Sequence, residues 1–287
     1  MKRRSMLSLF AAPFLLNACS GENFYFLQMA DTQLGMISGD EAGNDFKAET
    51  EIIEKLFARI NAMKPAPAFV INCGDLTNLP GHERQIDEYF RLTGLLKPSI
   101  KFYNVSGNHD FKGKCKVDTM VFYHKTYGAD QYSFESNGWH FLVLNSMLMK
   151  FPDSYPEAAE SQLNWLKKDL AESAGKKGTL AFMHHPFFDN DIAEDDGYHN
   201  MPKEKRHEVL DIFAENNVKA IFSGHRHTTI PGHDYRGMKL INTNAICKSF
   251  DEKPGLRIVG VVDGAMRQEF VARDAIPEAV DVFAEGH

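Results

Sequence analysis

The chain has 287 residues, 43% of them hydrophobic and 25% charged, the composition of a folded globular protein with a sizeable core. Its 39 acidic residues outnumber 32 basic ones, for a formal net charge of −7. That balance excludes the basic stripe of a nucleic-acid surface, so no nucleic-acid binding is expected.

The first residues stand apart. Lys2, Arg3 and Arg4 precede an apolar run, Met6 to Leu16, that is too short to span a bilayer. The pattern reads as a signal peptide over residues 1–18. Its end, Leu16-Asn17-Ala18-Cys19, resembles a bacterial lipobox, which would make Cys19 a lipidated first residue and a membrane tether. A plain signal peptide cut near Ala18 and an uncleaved anchor stay open beside it. Cleavage makes the protein exported, either periplasmic or a membrane-anchored lipoprotein. The mature chain is then more acidic, because the leader carries bases and no acids. Besides Cys19, the cysteines are Cys73, Cys115 and Cys247, with no Cys-x-x-Cys, which argues against a zinc ribbon or a disulfide framework. Cys73 reads as a packed strand residue, and a single disulfide between the other two is left open.

Phe24 to Met29 is an apolar, aromatic first strand that ends at Ala30-Asp31-Thr32-Gln33. After a polar loop over 35–45, residues 47–63 place Ile52, Ile53, Leu56, Phe57, Ile60 and Met63 at helical spacing, and Pro65 ends the helix. Ala68 to Asn72 is a strand closing in Cys73-Gly74-Asp75, and residues 82–96 form a second amphipathic helix. Ile100 to Val105 is a buried strand followed by Gly107-Asn108-His109-Asp110, where Gly107 lets the chain turn without a side-chain clash. Asn137-Gly138 marks a hairpin between Tyr132 and Leu144. A helix over 157–171 leads to the strand Thr179 to Met183, which ends in His184-His185-Pro186. An acidic loop, Asp189 to His199, precedes a helix over 203–216. The strand Lys219 to Phe222 then ends in Ser223-Gly224-His225-Arg226-His227, and the remainder is β-rich. Alternating strands and helices predict an α/β fold with βαβ units and right-handed crossovers. No linker or internal repeat interrupts residues 24–287, so one domain is expected.

Five strand ends carry metal-capable side chains: Asp31 with Gln33, Asp75, Asn108 with His109, His184, and His225 with His227. Ligands gather at the carboxyl ends of parallel strands. Carboxylates, an amide oxygen and imidazoles converging from separate strands are what a two-metal site requires, and the mixture suits iron, zinc or manganese better than calcium. His225 and His227 are expected to face one side of the strand end, with Arg226 pointing away. His185 reads as packing beside a ligand, and His82, His124, His140, His199, His207, His233 and His287 as surface or packing residues.

The ordered set Asp-x-Gln, Gly-Asp, Gly-Asn-His-Asp, His-His-Pro and Gly-His-x-His, from about Phe24 to His227, resembles the calcineurin-like metallophosphoesterase superfamily. The resemblance implies a two-sheet β sandwich flanked by helices, with a binuclear metal site at strand C-terminal ends. It assigns Asp31, Asp75 and His227 to a first metal with Gln33 beside it, and Asp75, Asn108, His184 and His225 to a second, Asp75 bridging. A hydroxide between the metals would attack phosphorus in line, and His109 would serve the leaving oxygen. The implied activity is hydrolysis of phosphate monoesters of a protein or a small molecule. A phosphodiesterase acting on cyclic or dinucleotide substrates, and a binding lipoprotein without catalysis, are the alternatives. Two positions depart from the family pattern. Gln33 stands where many members have His, which predicts a weaker first metal. Asn78 and Leu79 stand where many protein phosphatases of the superfamily have Asp and Arg, so no carboxylate there raises the pKa of His109.

Overall fold

The computed structural model describes residues 7–8, 23–111, 117–230, 232–251 and 253–281. In chain order its main elements are β1 (Phe24–Met29), α1 (Lys47–Ala62), β2 (Phe69–Cys73), α2 (Glu83–Thr93), β3 (Lys101–Val105), α3 (Val117–Thr126), β4 (Tyr132–Ser136) and β5 (Trp139–Val143). They continue with α4 (Ser146–Lys150), α5 (Pro156–Glu172), β6 (Thr179–Phe182), α6 (Lys203–Glu215), β7 (Val218–Ser223), β8 (His233–Tyr235), β9 (Met238–Asn242), β10 (Gly255–Val262) and β11 (Ala265–Ala272). The leader, the lipobox ending at Cys19, Cys115 and His287 lie outside the described residues, save that Leu7–Ser8 pairs in parallel with Val280–Asp281.

β1 is buried along its whole length because its alternate side chains serve two cores. Phe24 and Phe26 point into an aromatic layer with Phe69, Ile71, Phe141, Phe182 and Phe222. Tyr25, Leu27 and Met29 point the other way, onto Ile53, Leu56, Phe57 and Ile60 of α1 and Tyr89 and Leu92 of α2. β1 is central in a five-stranded sheet of order β11-β10-β1-β2-β3, parallel to β2 and antiparallel to β10. The second sheet has six strands, β4-β5-β6-β7-β9-β8, with β5, β6, β7 and β9 parallel. Its outer face packs on α5 and α6 through Leu166, Leu170, Leu210 and Phe213.

The result is the helix–sheet–sheet–helix sandwich that the resemblance implied. The aromatic layer sits between the sheets, where Phe26 stacks on Phe69 with centroids 4.5 Å apart and Phe182 stacks on Phe222 at 5.3 Å. β1, β2 and β3 of one sheet and β6 and β7 of the other bring their carboxyl ends to one edge of the sandwich, where the motif residues meet. Cys73 and Cys247 are buried free thiols. Among the described residues no helix is long and apolar enough to cross a membrane.

Candidate metal centre

Three of the strand ends are tight, strained turns. Asp31, Gln33, Asp75, His225 and His227 all have positive φ, at 53°, 39°, 51°, 74° and 52°. For residues with a Cβ this region costs on the order of 1–3 kcal/mol each and persists only where the surroundings impose it. Here the turns are tied to one another: the Asp31 N–H donates to the Gly74 carbonyl at 3.1 Å, and the Gln33 N–H to the Asp75 carbonyl at 2.8 Å. The Asp31 carboxylate accepts from the His225 N–H at 2.9 Å. His225 and His227 therefore do not reach the site by strand alternation, as the sequence suggested, because β7 stops at Ser223 and both lie in a left-handed turn.

The glycines of the motifs are explained separately. Gly74 needs its φ of +89° and also its bare Cα, since a Cβ would lie 2.4 Å from His184 Nδ1. Gly107 is not a turn glycine: its φ of −112° and ψ of 178° are extended backbone. What matters is close approach, because a Cβ would stand 2.2 Å from both N and Oδ1 of Asp75. Asp110, buried behind this contact, accepts from the N–H groups of Gly107 and Leu76, each at 2.8 Å, and so staples the third strand end to the second. Burial, aided by the nearby Asp75 charge, pushes the Asp110 carboxyl up to about 8.

Two groups of potential ligands result: Asp75, His184 and His225, and Asp31, Asp75 and His227. Within each group the ligand atoms lie within 4.8 Å of one another, and Asp75 is common to both. His184 Nε2 faces Asn108 Oδ1 at 3.0 Å, Asp75 Oδ2 at 3.3 Å and His225 Nδ1 at 3.1 Å. Its Nδ1 donates to the Cys73 carbonyl at 2.8 Å, which fixes the tautomer with the Nε2 lone pair turned inward. His227 is oriented in the same way: Nδ1 bonds to the Lys248 carbonyl at 2.7 Å and Nε2 faces Asp31 Oδ1 at 3.2 Å. Gln33 Nε2 donates to Asn78 Oδ1 at 3.3 Å, which leaves Gln33 Oε1 buried with no hydrogen-bond partner. Lone-pair donors crowded together, with a buried orphan oxygen beside them, fit a pair of cations.

Without a metal the site mixes a neutral ring with a charged one. Burial and the adjacent His185 and His184 hold His225 well below the usual imidazole range, so it is neutral. Burial would lower His184 too, but the Asp75 carboxylate overrides it and pushes the ring up to about 9. Burial opposes the charge on Asp75, yet His184 and His109 hold its carboxyl below the ordinary range.

His109 stands at the rim. Its backbone N–H donates to Asp75 Oδ1 at 2.9 Å, and its Nδ1 bonds to the Asn78 backbone carbonyl at 2.6 Å. Asn78 thus acts through its main chain, orienting the ring as a carboxylate side chain would but without the charge. Arg226 turns away from both ligand groups, its Nε 3.2 Å from Asp189 Oδ2 and its Nη1 2.5 Å from His199 Nδ1. His185 is buried, bonded through Nδ1 to Ser146 Oγ at 2.9 Å and packed 4.3 Å from the His225 ring.

His199, read from the sequence as a surface or packing residue, lies at the site with its ring 5.2 Å from that of His225. Two aromatic residues were also missed. Tyr198 lies 5.1 Å from the His225 ring and its hydroxyl accepts from Asn108 Nδ2 at 3.3 Å; Phe250 stacks 5.2 Å from the His227 ring. Long sequence separation hid both.

Residues 24–229 match the family model described as calcineurin-like phosphoesterase. The serine/threonine-protein phosphatase CPPED1 of Bos taurus is 33% identical over 269 residues, 89% of this chain and 85% of its own length. The Homo sapiens form is 31% identical over the same shares. Among solved structures, a dimetal phosphatase from Danio rerio superposes with a TM-score of 0.64 at 16% identity, covering 87% of this chain and 96% of that one. A purple acid phosphatase from yellow lupin gives a TM-score of 0.64 at 13% identity, covering 89% of this chain and 52% of that one.

Proposed function

Because the chain belongs to the calcineurin-like phosphoesterase family, we propose that it hydrolyses phosphate monoesters, of a phosphoprotein or a small molecule, at the strand-end site. It is a metal-dependent phosphoric ester hydrolase. In this reading Asp31, Asp75 and His227, with Gln33 beside them, hold one metal, and Asp75, Asn108, His184 and His225 hold the other. Iron, zinc or manganese suits the mixed imidazole, carboxylate and amide donors. The observation that carries the reading is the sharing of Asp75 by both buried ligand groups.

Two such ions, when bound, supply an activated water and neutralise the phosphoryl oxygens. The protein's own part is positional. Asp75 is locked by the His109 N–H on one oxygen and faces His184 with the other. His109, with Nδ1 committed to Asn78, has Nε2 left to carry a proton to the leaving alcohol. The Asn108 amide is turned by Tyr198, which takes its N–H and leaves Oδ1 toward His184.

The relatives named serine/threonine-protein phosphatase favour a monoester. Export itself, through the leader at 1–18 and a tether at Cys19, rests on the sequence pattern alone. Hydrolysis of p-nitrophenyl phosphate and of its bis ester, with manganese, zinc and iron supplied separately, tests the reaction. Monoester turnover that disappears in Asp75→Asn is expected. Turnover of the diester alone would replace the reading by a phosphodiesterase.

A further inference from the structure

Two aromatic rings at the mouth of the site have no part in the reaction just described; of the two residues only Tyr198 acts in it, through its hydroxyl on Asn108. Tyr198 and Phe250 are the two most exposed large apolar side chains among the described residues, at 64% and 62%. Each lies against a different ligand histidine, Tyr198 on His225 and Phe250 on His227 at an interplanar angle of 25°. Aromatic rings left in water forgo the burial that normally stabilises them. A loose loop would let them fold away.

These loops are not loose. The segment carrying Tyr198 is gripped from inside. Lys150 Nζ donates to the Gly197 carbonyl at 2.9 Å and also to the Asn200 carbonyl, and Asn200 Oδ1 accepts from the Gly197 N–H at 2.7 Å. Arg206, fully buried, donates to the carbonyls of Ile192 and Glu194 at 2.8 and 2.7 Å. Phe250 is held as firmly. Its N–H donates to the His227 carbonyl at 2.7 Å, and the buried Asn244 ties down both neighbours, Ser249 at 2.9 Å and Asp251 at 2.5 Å. Two separate networks of buried polar groups therefore keep two rings exposed beside the ligand histidines. Buried polar networks are a device for rigidity, and here what they make rigid is an apolar surface.

We propose that Tyr198 and Phe250 form an aromatic rim that receives the alcohol part of the substrate, so that the preferred substrates are phosphate monoesters carrying a flat, apolar or aromatic group near the phosphorus. The proposal rests on the phosphomonoesterase reading and adds the substrate class to it. A ring stacked or set edge-on against each residue gains dispersion and quadrupole attraction beyond simple burial.

The test uses the full metal-loaded protein and two alkyl esters, ethyl phosphate and phenethyl phosphate, whose leaving groups are chemically alike. The expected kcat/KM favours phenethyl phosphate by roughly tenfold, mostly through KM. Tyr198→Ala and Phe250→Ala should each lower that ratio by about threefold or more, while Tyr198→Phe and Phe250→Tyr, which keep the rings, preserve it. Titration calorimetry of benzylphosphonate against methylphosphonate reads the same preference without turnover. Equal kinetics for both esters, or equal binding of both phosphonates, overturns the rim and leaves the hydrolase standing. Ring-dependent phosphonate selectivity without turnover of any ester supports the rim and removes the phosphomonoesterase reading instead.

Discussion

Gly107→Ala isolates the cost of crowding Asp75. The backbone at this position is extended, with φ −112°, so alanine meets no conformational penalty. Its Cβ would stand 2.2 Å from Asp75 N and 2.2 Å from Asp75 Oδ1. A comfortable contact needs roughly 3.5 Å, so the Asp75 turn must retreat by about 1 Å. A displacement of that size in a catalytic constellation costs on the order of a hundredfold in rate. The stability cost is that of local overpacking, about 1–3 kcal/mol, or ~2–4 °C in Tm for each kcal/mol. The control is Gly39→Ala, where φ is +67° and no atom lies within 4 Å. It carries only the strain of a left-handed alanine, about 1 kcal/mol, and lies outside the site. The assay is kcat/KM for p-nitrophenyl phosphate at saturating metal, read beside Tm for both variants. Gly107→Ala is expected to lose activity far out of proportion to stability, and Gly39→Ala to lose stability only. Near-wild-type turnover by Gly107→Ala would refute the role given to the close contact with Asp75.

His109→Ala should lower kcat on alkyl phosphates by roughly 10²–10⁴, as loss of an acid does, and much less on p-nitrophenyl phosphate, whose alcohol leaves as a stable anion. Equal losses on both esters would deny His109 a proton-transfer role. In the metal-free protein the raised pKa of His184, about 9, makes a stabilising contribution that is complete below the unfolded imidazole value of ~6.5 and lost as pH rises through about 9. Its Tm should therefore fall over that window, while metal affinity, which requires the proton to leave, rises over it; a Tm flat across the window by scanning calorimetry contradicts the pairing of His184 with Asp75.

The candidate ligands were legible in the sequence because they sit directly after buried strands. An apolar run such as Phe69-Val70-Ile71 announces a strand, and Gly74-Asp75 after it announces a functional end. What the pattern could not separate was which strands share a sheet. Both faces of β1 are buried, so its sequence is apolar but for Gln28 and hides the boundary between the aromatic layer and the helical one. Several elements were not expected from the sequence. In α3, Tyr123 is buried and Val121 is 46% exposed, which blurs the apolar stripe. α4 and β8 are too short, at five and three residues, to show any period. The rim was illegible for a different reason. Tyr198 meets Asn108 across 90 residues, and the signals for its placement are buried polar groups, Lys150 and Arg206, whose partners are backbone carbonyls that no side-chain pattern reveals. Gly107 carried the right residue for a reason other than turning: the sequence shows a glycine but not the neighbour that demands it.

The shared carboxylate of Asp75 is the centre of the account, and a count of bound metal tests it most directly. Elemental analysis of the purified, metal-saturated protein, with His227→Ala and Asp75→Asn in parallel, reads the stoichiometry per chain, and circular dichroism checks that each variant is folded. The account predicts two ions in the wild type, loss of the one on the Asp31 side in His227→Ala, and weakening of both in Asp75→Asn, because that residue alone belongs to both ligand groups. A folded Asp75→Asn protein that still binds two ions as tightly as the wild type would contradict it.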